Sequence, residues 1–162
     1  MEICLVRHAI AVERGTAGYD DDRARPLTRQ GRERMREAAA GLKRLLEPEV
    51  ILTSPVLRAR QTAEILSDAF KAPIRECDGL GTGDHERVLQ ALGATKESRV
   101  VLVGHEPWMS ELLAVLVSGG ADGIAAEFKK GAAAFVSCAG APRPGSCLLQ
   151  WLMQPAALRR MA

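Results

Sequence analysis

Glu2-Ile3-Cys4-Leu5-Val6-Arg7-His8-Ala9 is the stretch whose reading decides the fold. Glu2 to Val6 is a short apolar run of strand length, and Arg7-His8 stands at its C-terminal end. The pattern returns at Arg99-Val100-Val101-Leu102-Val103, which Gly104-His105 follows. That second run is apolar at successive positions, as a central parallel strand buried on both faces should be. Of three histidines in the chain, two therefore sit just past a strand. In an open α/β sheet, ligands bind in the crevice beyond the carboxyl ends of the strands. The two runs thus predict a fold and a place for a site together.

Outward from this frame, strand and helix alternate. Glu13 to Pro26 has two glycines, three consecutive aspartates and no apolar period, and reads as a loop over the site entrance. Thr28 is the N-cap of a first helix, in which Met35, Ala38, Ala39, Leu42, Leu45 and Leu46 recur at helical spacing up to Pro48. Val50 to Thr53 is a second strand. Ser54-Pro55 then reads as N-cap and first helical residue of a second helix, buried through Ala63, Ile65, Leu66, Ala69 and Phe70. Pro73 to Glu76 suits a third strand, and Gly79, Gly81 and Gly83 a flexible connection carrying Asp84 and His85. Val88, Leu89 and Leu92 suit a short helix, and Pro107 opens another with Trp108 in its apolar stripe. Ala132 to Cys138 and Cys147 to Met153 are two strands joined by a Gly/Pro-rich turn, hence an antiparallel pair. Pro155 to Ala162 forms a helical tail. The expected fold is a three-layer αβα sandwich with a mainly parallel central sheet and an antiparallel edge strand.

The 162 residues are expected to form one domain, 1–162, with 47% hydrophobic and 26% charged residues. No apolar run reaches the roughly 20 residues of a membrane helix, and no signal-peptide pattern opens the chain. Cys4, Cys138 and Cys147 lie in apolar runs, so buried free thiols are the preferred reading. Spacing says nothing about distance, and a disulfide stays open. Cytoplasmic residence follows by default. Twenty-two basic against 20 acidic residues give no global pull toward nucleic acid. The basic residues crowd between Arg23 and Arg44, though. They form either a solvated helix face laced by ion pairs or a docking surface for an acidic or phosphorylated protein.

With parallel strands, Arg7-His8, Ser54-Pro55 with Arg58, and Gly104-His105 emerge at one sheet edge. Two arginines offer the forked, permanently charged donors that a tetrahedral oxyanion such as phosphate needs. The start of the second helix adds its dipole. A histidine in that cage can carry a proton or attack phosphorus directly. No metal-ligand spacing is present.

These residues also carry a family resemblance. Arg7-His8-Ala9, Ser54-Pro55-Val56-Leu57-Arg58-Ala59-Arg60-Gln61-Thr62-Ala63 and Val103-Gly104-His105-Glu106-Pro107 resemble, in order, the motif set of the histidine phosphatase superfamily. Arg25-Pro26-Leu27-Thr28 with Gly31, Lys129-Lys130-Gly131-Ala132-Ala133 and the tail from Trp151 to Leu158 resemble its SixA-type phosphohistidine phosphatases. The resemblance implies a phosphoglycerate mutase-like fold and a two-step phosphoryl transfer. His8 would attack in line and form a phosphohistidine intermediate that water hydrolyses. Arg7, Arg58 and His105 would bind the equatorial oxygens. A backbone carbonyl should fix the other nitrogen of His8. No metal or other cofactor is implied. The implied partner is a phosphorylated protein such as a histidine phosphotransfer domain, with phosphate or sulfate as pocket ligands. Neither nucleic acid nor membrane is expected.

Ester-cleaving branches carry a carboxylate acid between the second helix and the Gly-His pair, and no residue here matches that pattern. Asp84, His85 and Glu106 are the candidates for an acid or an accessory role, and Glu106 could instead cap a helix or orient His105. An imidazole leaving group is readily protonated near neutrality, so a missing acid tilts the substrate toward P–N bonds. Two further readings stand beside this one: a phosphomonoesterase for small phosphorylated metabolites, and a non-catalytic module that binds phosphoproteins.

Overall fold

A computed structural model describes residues 1–162. Its frame follows from strands whose side chains alternate between two apolar faces. Along β1 (Glu2–Arg7), Ile3 and Leu5 point to one core while Cys4 and Val6 point to the other. Along β4 (Arg99–Gly104), Val100 and Leu102 divide from Val101 and Val103 in the same way, as do Val50 and Leu52 from Ile51 in β2 (Val50–Thr53). A sheet apolar on both faces must be covered on both. One side is covered by α1 (Arg29–Leu42), α2 (Leu57–Phe70) and the C-terminal α6 (Pro155–Arg159). The other is covered by α3 (Gly79–Thr82), α4 (His85–Ala94) and α5 (Trp108–Ser118).

With β3 (Ile74–Glu76), β5 (Ala133–Cys138) and β6 (Cys147–Met153), the sheet has the order β3-β2-β4-β1-β5-β6. The first four strands are parallel, β5 is antiparallel to β1, and the edge strand β6 pairs antiparallel with β5. The expected αβα sandwich is thus observed. The strand that runs against the parallel set is β5, one place in from the edge. No helix is long and apolar enough to cross a membrane.

Thr28 caps α1 by accepting the Gly31 N–H at 2.9 Å. Three local expectations are corrected. The helix after Ser54-Pro55 begins at Leu57, because Ser54 Oγ closes a tight turn on the Val56 N–H at 3.2 Å before any helical bond forms. The Gly79–Gly83 connection is a short helix, its turn held by N–H groups of Gly81, Thr82 and Gly83 donating back to Asp78 and Gly79. Cys138 and Cys147 are not free thiols. They face each other across the β5–β6 ladder and form a disulfide, whereas Cys4 and Cys77 stay free and buried. Register, which spacing does not reveal, brings the pair together.

Gly31 is where the chain leaving β1 crosses α1. A Cβ there would lie 2.0 Å from the Ile10 carbonyl oxygen, a contact that must push backbone aside. Gly31→Ala should therefore lower stability by about 1–3 kcal/mol. For a chain of this size that is roughly 2–12 °C in Tm, measured by thermal denaturation. Gly93 in α4 has nothing within 4 Å of its would-be Cβ, so Gly93→Ala should leave Tm unchanged or raise it. An unchanged Tm for Gly31→Ala would contradict the crossing.

Candidate active site

The site is assembled by strand register. Arg7 of β1 pairs with Gly104 of β4, so the next residues, His8 and His105, leave the sheet side by side. The His8 N–H donates to the Gly104 carbonyl at 2.9 Å, and the two rings lie 5.1 Å apart between centroids. Arg58 arrives from the first turn of α2, and its Nε donates to His8 Nε2 at 3.3 Å. His8, Arg58 and His105 are all buried, and Arg7 is partly so.

His8 Nδ1 lies 2.7 Å from the Ala9 carbonyl oxygen. A carbonyl only accepts, so Nδ1 carries the ring proton, and Nε2 presents a lone pair toward Arg58. Burial, the neighbouring His105 ring and the charges of Arg58 and Arg7 drive the His8 pKa well below its ordinary value. The Ala9 hydrogen bond only partly opposes them. His105 is lowered to about 4 by burial and by the charges of Arg58, Arg7 and Arg25, with Asp22 opposing. Both rings are neutral at physiological pH.

His105 Nε2 is 2.8 Å from Ser54 Oγ, while its Nδ1 is buried with no partner. Arg7 donates through one terminal nitrogen to the Phe128 carbonyl at 2.6 Å, and its Nε is likewise buried and unpartnered. Two buried nitrogens of the residues around His8 thus have no protein partner. Such groups are costly to bury unless an oxyanion meets them. The arrangement can hold a tetrahedral anion against an imidazole lone pair.

One participant was not legible in the sequence. Asp22 sits in a 3-10 turn (Asp22–Ala24) and accepts from Arg58 at 3.1 Å, Arg25 at 2.9 Å and Arg14 at 2.9 Å. Its carbonyl takes a second Arg58 hydrogen bond at 2.7 Å. Burial raises its pKa, but the hydrogen bonds from Arg14 and Arg25 and the charges of Arg58 and Arg25 prevail and hold it at about 2. Arg25 is buried beside it and also donates to the Val12 carbonyl. The loop over the entrance is therefore pinned by this carboxylate. Nothing in Asp20-Asp21-Asp22 distinguishes the third aspartate, although the later Arg25 in a tight turn is a weak signal.

The three acid candidates fare differently. Asp84 caps α4, accepting the Arg87 N–H at 3.1 Å, and pairs with the Arg87 side chain at 3.3 Å, so its carboxylate serves the helix start. His85 faces Glu111 on α5 at 3.7 Å. Trp108 meets the His105 ring edge-on at 6.2 Å and walls the site, so it does more than fill core. Glu106 accepts from Ser110 Oγ at 2.6 Å through Oε2, has Oε1 buried without a partner, and adds a negative charge near Arg7. No group of three His, Cys, Asp or Glu side chains is placed to hold a metal ion.

A sheet that ends in two neutral histidines ringed by arginines places the chain among phosphate-handling enzymes. Residues 3–87 match the histidine phosphatase superfamily (branch 1), and the chain belongs to that family and is a phosphatase. It is 32% identical over 130 residues to the phosphohistidine phosphatase SixA of Escherichia coli (strain K12), covering 74% of this chain and 76% of that one. It is 41% identical over 125 residues to an uncharacterised protein of Picosynechococcus sp. (strain ATCC 27264 / PCC 7002 / PR-6), covering 74% of each. The solved structure of the protein histidine phosphatase SixA complexed with tungstate superposes with a TM-score of 0.77 at 29% identity. It covers 98% of this chain and 99% of that one.

The depressed pKa of His105 has a measurable sign. Above 6.5, the ordinary value, the folded and unfolded rings are both neutral and the contribution to stability is whole. As pH falls from 6.5 toward about 4, the unfolded ring takes up a proton that the folded ring refuses, and stability is lost across that window. NMR titration of the free enzyme should place His105 near 4, with urea-derived stability declining from pH 6.5 downward. A His105 midpoint at or above 6.5 would contradict the neutral cage.

Proposed function

We propose that the protein is a phosphohistidine phosphatase acting on a phosphorylated protein, such as a histidine phosphotransfer domain, with residues 1–162 as one histidine phosphatase domain. The observation that carries the reading is the lone pair of His8 Nε2, held by the Nδ1–Ala9 hydrogen bond, in a site whose Arg7 Nε and His105 Nδ1 are buried without a partner. His8 Nε2 attacks phosphorus in line. As the new N–P bond forms, the bond to the leaving imidazole breaks, and that ring takes the electron pair and a proton. Water then attacks the phosphorus on His8, which returns the electron pair to Nε2 and releases inorganic phosphate. Arg7, Arg58 and His105 bind the equatorial oxygens, where donors fixed in advance need no reorganisation as charge moves. Arg58 needs its planar fork, since Nε faces His8 while both terminal nitrogens reach Asp22.

The nature of the acid supports the P–N choice. Asp22 is the carboxylate hydrogen-bonded to Arg58, and with its pKa held at about 2 it has no proton to give at neutral pH. A departing imidazole, with an ordinary pKa of about 6.5, is protonated easily, whereas an alkoxide needs a strong acid beside it. SixA of Escherichia coli, named a phosphohistidine phosphatase, agrees with this reading.

The test is phosphate release from a phosphohistidine protein, set against unactivated phosphate monoesters. The wild-type enzyme should prefer the phosphoprotein. His8→Ala should lose at least about 10³-fold in kcat, and Arg58→Lys about 10²–10³-fold. Equal release by wild type and His8→Ala would overturn the reading. Preferred hydrolysis of monoesters would replace it with a phosphomonoesterase, and tight phosphoprotein binding without turnover with a binding module.

A further inference from the structure

Behind the backbone of His8 lies a second cationic feature that phosphoryl transfer does not use. A cleft of about 60 Å³ opens between the exit of β1, α1 and α6. Ala9 and Gly131 form its inner end, Met35 one wall, and Arg34, Lys130 and Arg159 its charged lining. No acidic residue lines it. It adjoins the cage directly, because the Gly131 N–H donates to both the Arg7 and His8 carbonyls at 3.1 Å. The segment that carries Lys130 also supplies the Phe128 carbonyl that holds Arg7.

Two of these three cations, Arg34 and Lys130, have no ion-pair partner. The basic run of α1 could have been laced by ion pairs along the helix, but the only such pair is Arg29 with Glu33, at 2.9 Å. Glu37 reaches instead to Arg159 at 3.5 Å. Arg34 and Lys130 are exposed, and neither has a salt-bridge partner. Like charges gathered at an open cleft raise the local concentration of anions. The volume suits one anionic head group.

Resting on the phosphohistidine reading, we infer that this cleft docks a carboxylate side chain of the protein substrate, close in space to the phosphorylated histidine. The cage binds the phosphoryl group, common to every such substrate, and the cleft reads an acidic neighbour on the same protein. Discrimination between phosphoproteins then lies outside the chemistry, in contacts that act on KM and weaken with salt.

Two chemically phosphorylated histidine peptides test this. One carries glutamates on both sides of the phosphohistidine, the other glutamines at the same positions. At low salt the wild-type enzyme should favour the glutamate peptide by about tenfold in kcat/KM, mostly through KM, and should lose that preference in high salt. Arg34→Glu and the double variant Arg34→Glu/Lys130→Glu should abolish the preference. Arg34→Glu should still hydrolyse phosphoramidate, which has no flanking side chains, at the wild-type rate, showing that the cage is intact. Equal turnover of both peptides by the wild type overturns the inference alone, as does a preference that survives both variants or a parallel loss on phosphoramidate. Turnover of neither peptide by the wild type overturns the phosphohistidine reading, and the inference falls with it.

Discussion

The parallel pairing of β1 with β4, in the register that sets Arg7 opposite Gly104, is the constraint on which the rest depends. One residue beyond that pair the strands end, and His8 and His105 are delivered together, 5.1 Å apart, where neither strand can bury them further. A slip of one position would turn Ile3 and Leu5 toward the wrong core. Hydrophobic register therefore secures the catalytic geometry, and the site inherits the precision of a sheet buried on both faces.

Electrostatics then does what register cannot. Burial first, and the neighbouring arginine charges after it, keep both histidines neutral, as the proposed nucleophile requires and as histidines in water manage only in part near pH 6.5. The same arginines would repel one another without a counter-charge. Asp22 supplies it, bridging Arg58, Arg25 and Arg14 from the entrance loop. One carboxylate thus fastens the entrance loop and aims Arg58, while the low pKa that this entails bars it from acting as an acid. That exclusion of Asp22 as a proton donor is what favours the proposed P–N substrate over an ester.

The parts of this arrangement legible in the sequence are those written in local pattern. Continuous apolar runs ending in Arg-His and Gly-His, the Thr28 cap and the apolar spacing of the helices all depend on near neighbours, and the sheet with its two covering layers follows from them. Arg58 was legible through its place in the first turn of α2. Asp22 was not, because its partners lie in a distant helix and in the turn itself, and three adjacent aspartates look alike. The Cys138–Cys147 disulfide was missed for a related reason: hairpin register decides which cysteines meet. Asp84 looked like an acid on its loop, but once α4 began at His85 its carboxylate was drawn to the free N–H of Arg87.

The central claim is that His8 Nε2 becomes covalently bonded to phosphorus. The most direct measurement is rapid quenching of the wild-type enzyme with a phosphohistidine protein, followed by mass analysis of peptides under alkaline conditions that preserve phosphohistidine. The account predicts one acid-labile phosphoryl group on the peptide that carries His8, rising and decaying within a single turnover. Phosphate released in full with no phosphoryl group ever found on that peptide, under conditions where His105→Ala slows turnover, would contradict it.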